Sequence, residues 1–115
     1  MIQGTFVRTF MSMMHLNHDD MPGRKDDQGK LRLDLIEPEF IEGIGNVLTK
    51  GAQKYSENSW QNVENAENRY YAAALRHLMA WRKGEVYDVE TDVNHLLHAA
   101  CNLMFLFHFD REENK

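Results

Sequence analysis

The chain lacks the features that would tie it to a membrane or to an oxidising compartment. Its 115 residues contain a single cysteine, Cys101, so no internal disulfide can form, and the apolar residues around it favour a buried structural thiol. No segment approaches the roughly 18 consecutive apolar residues of a transmembrane helix. The start, MIQGTFVRTF, lacks the basic and then apolar order of a signal peptide, so we expect a cytoplasmic protein.

An excess of positive charge is also missing, because the formal net charge is -5. A non-specific nucleic-acid binder needs a basic face, so a nucleic-acid polymer is not expected as a partner. A small anionic ligand remains compatible with this charge, since a few placed lysines and arginines, or a divalent ion, can bind it. The length and an apolar share of 43% fit one globular domain.

Apolar residues recur at helical spacing in three segments, which predicts an all-α bundle of three to four helices. Pro38 suits the first turn of the first helix, Gly84 suits the end of the second, and Asp88 is a candidate N-cap of the third. Residues 1–25 are turn-prone and are expected to form an irregular N-terminal arm or a mobile lead-in. A three-helix unit of this size often completes its core as a homodimer or higher homo-oligomer. The predicted helices are 38–55, 66–83 and 89–109.

The stretch GEVYDVETDVNH places several acids ahead of a histidine. If the third helix begins near residue 89, Asp92, His95, His98 and Asn102 follow at spacings of three, three and four, on or near one face. Divalent cations bind carboxylate oxygens, and histidine suits manganese or zinc better than magnesium. Acids at a helix start are, however, favoured by the helix dipole alone, and His98 could equally be a core histidine.

Two further patterns contain cations, and the first of them could bind phosphate. In DDQGKLRLD, Gly29 gives the backbone freedom, and Lys30 and Arg32 alternate on one side of an extended segment. Arg76 and His77 lie beside the apolar seam of the second helix and could face a pocket. A salt-bridged surface arginine beside a packed histidine would give the same pattern.

The connection GAQKYSENSW could recognise a base. An aromatic, an amide and a lysine on one loop could stack on a base and hydrogen-bond it, or could attach the loop to the bundle. The residues concerned are Lys54, Tyr55, Asn58 and Trp60. A further run, HLNHDD at residues 15–20, has metal-ligand chemistry, but its turn-rich surroundings favour a solvated segment.

Read in order, four motifs resemble the dATP/dGTP diphosphohydrolase family of phages, which are MazZ-like, MazG-related nucleotide pyrophosphohydrolases. The motifs span about residues 26–107 and read DDQGKLRLDLIEPEF, GAQKYSENSW, RYYAAALRHLMAWRKGE and DVETDVNHLLHAACNLMFL. The resemblance implies a MazG-like all-α fold over residues 26–115. It also implies hydrolysis of a deoxypurine triphosphate to the monophosphate and pyrophosphate with Mg²⁺ or Mn²⁺, by a phage protein in the host cytoplasm.

Roles for individual residues follow from this resemblance. It implies Glu85, Asp88 and His95 as catalytic residues, and these three with Glu90 as metal ligands. It implies that a purine deoxynucleotide is bound by Lys30, Arg32, Asp34, Lys54, Tyr55, Asn58, Trp60, Arg76 and His77.

Two alternatives stay open. The same residues could bind a nucleotide or nucleotide signal without cleaving it, because MazG enzymes carry more clustered glutamates than this chain offers. The chain could also be a helical dimerisation unit whose charged residues are simply solvated.

Overall fold

The computed structural model describes residues 23–113, and the chain divides into two compact units, residues 1–33 and 34–115. The second unit contains three α-helices, which confirms the all-α prediction. They are α1 (Pro38–Lys54), α2 (Ala66–Arg82) and α3 (His95–Glu113), with short 3-10 helices at Leu33–Leu35 and Ser59–Asn62. The described residues contain no β-strand, only an isolated bridge between Tyr87 and Asn94. Most of the arm predicted at residues 1–25 lies outside the described residues.

The first two helices begin and end close to where the sequence predicts. Pro38 occupies the first turn of α1, where its missing N–H would have no helical partner. Helix α2 ends through Gly84, whose φ of 106° is in the left-handed region that glycine adopts without strain. The N–H of Glu85 then donates to the carbonyl of Ala80 at 3.0 Å, which is the bond of a Schellman motif. The chain reversal at this helix end brings Glu85 back to the bundle, where it contacts His95.

The predicted start of the third helix was wrong. Helix α3 begins at His95, six residues after Val89, and its N-cap is Asn94, whose Oδ1 accepts a hydrogen bond from the N–H of Leu96 at 2.8 Å. Asp92 has a φ of 58°, which a right-handed helix excludes. Asp92 therefore does not share a helical face with His95, and Asp88 is not the cap.

Small residues form the buried interior around α3, which packs against both α1 and α2. Ala74 of α2 and Ala99 and Cys101 of α3 are buried, which confirms the buried thiol that the sequence predicts. Where α1 meets α3, a Cβ added at Gly43 would overlap the two methyl groups of Leu97. This close packing fixes the N-terminal part of α3. No helix in the described part of the chain has the length and apolar character needed to cross a membrane.

Candidate active site

An open cleft of about 900 Å³ lies in the second unit, between the three helices and the loops that join them. Four cationic and two acidic side chains line it, so the cleft is locally positive although the chain as a whole is negative. A surface of this kind suits an anionic ligand. The charged lining residues are Lys50, Lys54, Arg69 and Arg76, with Asp88 and Glu90.

The loop between α2 and α3 holds Asp88 in a fixed orientation. The N–H of His95 donates to the carbonyl of Val86, and the N–H of Asp88 donates to that of Val93, both at 2.9 Å, so the loop closes on itself. Asp88 Oδ2 accepts hydrogen bonds from the N–H and the hydroxyl of Thr91, at 3.0 and 2.9 Å. Burial alone would raise the pKa of Asp88, but the two bonds from Thr91, together with the attraction of His98 and His77, outweigh it and the pKa is lowered. Asp88 is therefore a carboxylate at neutral pH.

Two histidines from different helices meet beside Asp88. His77 Nδ1 lies 2.8 Å from His95 Nδ1, and His95 Nε2 lies 3.1 Å from Glu85 Oε2. Since a carboxylate only accepts, His95 donates through Nε2 and its Nδ1 accepts from His77. Burial, with repulsion from the neighbouring histidines, lowers the pKa of His77. His95 is 4% exposed, so this contact is enclosed within the bundle.

His98 completes this group, although the sequence left it open as a core residue. Its ring stacks on His77 with centroids 4.6 Å apart and planes 9° apart. Its Nε2 lies 2.7 Å from the Thr91 hydroxyl and 3.9 Å from Asp88 Oδ2. Burial lowers the pKa of His98 more than the attraction of Asp88 raises it. The spacing of three from His95 was a signal for His98, whereas nothing in the sequence distinguished Thr91.

Among the described residues, the side chains that converge as a possible metal site are His77, Asp88 and His95, which we name the histidine–aspartate cluster. One ligand atom from each lies within 4.8 Å of the other two. Glu85 reaches the cluster through His95, and Glu90 instead forms an ion pair with Lys54 at 2.5 Å. Of the four metal ligands that the resemblance implies, the structure thus brings Asp88 and His95 together and adds His77.

Cations surround the acidic loop from two helices. Lys50 Nζ donates to the carbonyl of Thr91 at 2.5 Å, and the hydrogen bond from Lys54 to Glu90 raises the pKa of that lysine. Arg76 is exposed at the cleft and has no hydrogen-bond or ion-pair partner among residues 23–113. Lys50 was not predicted as a site residue, although its spacing of four from Lys54 on α1 is a signal for a shared face.

Aromatic residues line another part of the cleft. Trp60 stacks on Phe105 with centroids 4.5 Å apart, and Tyr70 donates a hydrogen bond to the carbonyl of Trp60 at 2.8 Å. Trp60 therefore attaches its loop to the bundle and also lines the cleft. Tyr55 lines the cleft as well and is 70% exposed, which leaves its ring available for stacking.

Two predicted substrate residues of the second unit do not line the cleft. Asn58 has a φ of 58° and precedes the 3-10 helix at Ser59–Asn62; neither it nor Asp34 lines the cleft. Lys30 and Arg32 belong to the first unit, where Gly29 has a φ of 84° and Lys30 closes a turn onto Asp27. Their part in substrate binding stays a prediction.

Comparison with known proteins agrees with the resemblance found in the sequence. Residues 20–115 match the family model described as dATP/dGTP diphosphohydrolase, N-terminal. The chain is 42% identical over 87 residues to a dATP/dGTP diphosphohydrolase of Salmonella phage PMBT28, an alignment that covers 76% of this chain and 29% of that protein. The chain thus spans less than a third of the relative's length. No solved structure matches it. The chain belongs to the dATP/dGTP diphosphohydrolase, N-terminal, family.

Proposed function

We propose that this chain carries the active site of a metal-dependent pyrophosphohydrolase, which cleaves dATP or dGTP to the monophosphate and pyrophosphate. The observation that carries the proposal is the histidine–aspartate cluster beside a cleft that is rich in cations and aromatic rings. The family and the name of the phage relative support the deoxypurine substrate. Since the chain covers 29% of that relative, the activity of the longer protein is part of the proposal.

The cleft residues can perform the binding steps of this reaction. Arg76 and Lys50 are placed to bind the triphosphate, and the exposed ring of Tyr55 is placed to stack on the base. When water attacks, its oxygen bonds to the α-phosphorus, the bond to the α,β-bridging oxygen breaks, and pyrophosphate leaves. Negative charge then grows on the phosphoryl oxygens, and the cations stabilise it.

The histidine–aspartate cluster fits a bound divalent ion by its donor chemistry, with two imidazole nitrogens and one carboxylate. A divalent ion held there by His77, Asp88 and His95 would supply positive charge and a more acidic water. Glu85 holds the ring of His95, and Thr91 holds the carboxylate of Asp88, so the site is fixed before any ligand arrives.

Product analysis tests this proposal. The purified chain is incubated with each deoxynucleoside triphosphate and Mg²⁺ or Mn²⁺, and the products are resolved by anion-exchange chromatography. We expect monophosphate and pyrophosphate from dATP and dGTP. Arg76→Ala should raise KM, whereas Arg82→Ala, on the same helix but outside the cleft lining, should not. If no nucleotide yields a monophosphate, the proposed activity is wrong for this chain.

A second candidate function is binding of a nucleotide without cleavage. It is favoured by the presence of one carboxylate, Asp88, in the cluster, while Glu85 and Glu90 are engaged by His95 and Lys54. Calorimetry that shows saturable binding, with the nucleotide recovered intact in the presence of metal, would support this function. Conversion of the nucleotide during the titration would exclude it.

We also propose that the chain forms a homodimer or higher homo-oligomer. Tyr71 of α2 and Leu103 and Phe107 of α3 line one shallow surface together and are each more than half exposed. Apolar surface of this kind is typical of an interface. Light scattering after size exclusion should give a multiple of 13.5 kDa, and Phe107→Asp should shift the mass towards the monomer. A monomeric wild-type chain would refute this proposal.

A further inference from the structure

We infer that the histidine–aspartate cluster is a site for one transition-metal ion, selective for Mn²⁺, Co²⁺ or Zn²⁺ over Mg²⁺, with His77 as a ligand and Glu85 as a positioning residue. The inference deepens the proposed function and rests on it for its biological role. The metal binding itself is measured without nucleotide.

The separation of the two imidazole nitrogens is the first argument. His77 Nδ1 and His95 Nδ1 are 2.8 Å apart, and a carboxylate oxygen of Asp88 completes a set within 4.8 Å. Two neighbouring ligands about 2.1 Å from one ion are separated by about 3.0 Å in an octahedral site and by about 3.4 Å in a tetrahedral one. The observed pair is therefore close to the spacing that a shared ion requires. Without an ion, the two nitrogens share a proton, and a metal ion would replace that proton.

The hydrogen bonds behind the ligands are the second argument. Glu85 accepts from His95 Nε2–H, so the lone pair of His95 lies on Nδ1, towards His77. A carboxylate that holds the far nitrogen of a metal-bound histidine is the usual support of such a ligand. Thr91 plays the same part for Asp88, since its N–H and hydroxyl bind one carboxylate oxygen. Glu85 is half exposed and engaged with His95, so we expect it to hold the His95 ring in place and not to bind the metal itself.

The chemistry of the donors decides the choice of metal. Mg²⁺ prefers oxygen ligands and keeps most of its water, whereas imidazole suits zinc and its neighbours in the first transition row, and the affinity of a given site rises from Mn²⁺ to Co²⁺. Two of the three donors here are imidazole nitrogens, and His95 is almost wholly removed from solvent. Two imidazole nitrogens, one of them on a buried side chain, therefore compensate Mg²⁺ poorly for the water that it would have to lose.

Cobalt titration of the full chain, followed by visible absorption, tests the inference. We expect one Co²⁺ per chain, displaced by Mn²⁺ or Zn²⁺ but not by a large excess of Mg²⁺. His77→Gln and Asp88→Asn should abolish binding, while Glu85→Gln should weaken it by about 10- to 100-fold. Glu113→Gln, on the exposed end of α3, is the matched control and should leave binding unchanged.

A competing source of metal binding is the run HLNHDD, whose histidines lie outside the described residues. A double variant, His15→Ala with His18→Ala, should bind Co²⁺ like the wild type. Loss of binding in this variant with retention in His77→Gln would overturn the inference, as would equal competition by Mg²⁺. Loss in Glu85→Gln as complete as in Asp88→Asn would refute the positioning role of Glu85.

One measurement needs no variant and so does not depend on whether the variants fold. Electron spin-echo modulation of the Mn²⁺-loaded wild type counts coordinated histidine nitrogens. Two are expected, and none would overturn the site. The outcomes separate the two proposals: hydrolysis with Mg²⁺ but no cobalt binding refutes only the metal site, and cobalt binding without hydrolysis refutes only the proposed activity.

Discussion

Replacing Gly43 with alanine tests whether the close approach of α1 and α3 holds the site together. Gly43 lies where Leu97, two residues into α3, packs against α1. The same contact sets the distance between the lysines of α1 and the acidic loop, because Lys50 bonds to Thr91 and Lys54 to Glu90. A methyl group at this point should therefore disturb both packing and the cleft.

The expected loss of stability in Gly43→Ala follows from a comparison with Gly45→Ala on the same helix. Alanine is favoured over glycine inside a helix by about 0.5–1 kcal/mol, and this gain is expected at both positions. At Gly45 nothing lies within 4 Å of an added Cβ, whereas at Gly43 the Cβ overlaps Leu97. Overpacking of this kind costs about 1–3 kcal/mol. Since the helix preference cancels, Gly43→Ala should be less stable than Gly45→Ala by about 1–3 kcal/mol.

Urea unfolding followed by circular dichroism measures this difference. For a domain of this size each kcal/mol shifts Tm by about 4–8 °C, so the two variants should separate clearly in a thermal scan too. Adding Leu97→Ala should reduce the effect of Gly43→Ala, because it removes the atoms that the new Cβ meets. Equal stability of the two glycine variants would refute the packing argument.

Three further predictions concern single side chains. Cys101 is 1% exposed and burial raises its pKa to about 11, so it should resist thiol reagents at mildly alkaline pH until urea is added; fast native labelling would contradict this. Trp60→Ala removes the stacking on Phe105 and should cost about 3 kcal/mol in urea unfolding, and a loss below 1 kcal/mol would contradict it. Lys54→Gln breaks an exposed ion pair with Glu90, so unfolding should be unchanged while KM for nucleotide rises; unchanged KM would contradict its binding role.

Much of the fold followed from local signals that do not depend on tertiary contacts. Pro38 and Gly84 mark helix ends because of their own backbone preferences. The start of α3 did not follow, since the sequence offered Asp88 as the N-cap and the helix is capped by Asn94. The hydrogen bonds of Thr91 and the left-handed φ of Asp92 decided in favour of Asn94.

The sequence predicted the chemistry of the candidate site but not which residues come together to form it. The sequence identified Asp88 and His95, and it placed His77 beside an apolar seam, because residue type and spacing are visible in one dimension. By itself it determined the family and the three helices. Only the tertiary structure decided that His77 lies 2.8 Å from His95 and that Glu90 pairs with Lys54. The reason is physical: these pairs join residues 18 and 36 positions apart, and helix packing, which no local pattern encodes, brings them into contact.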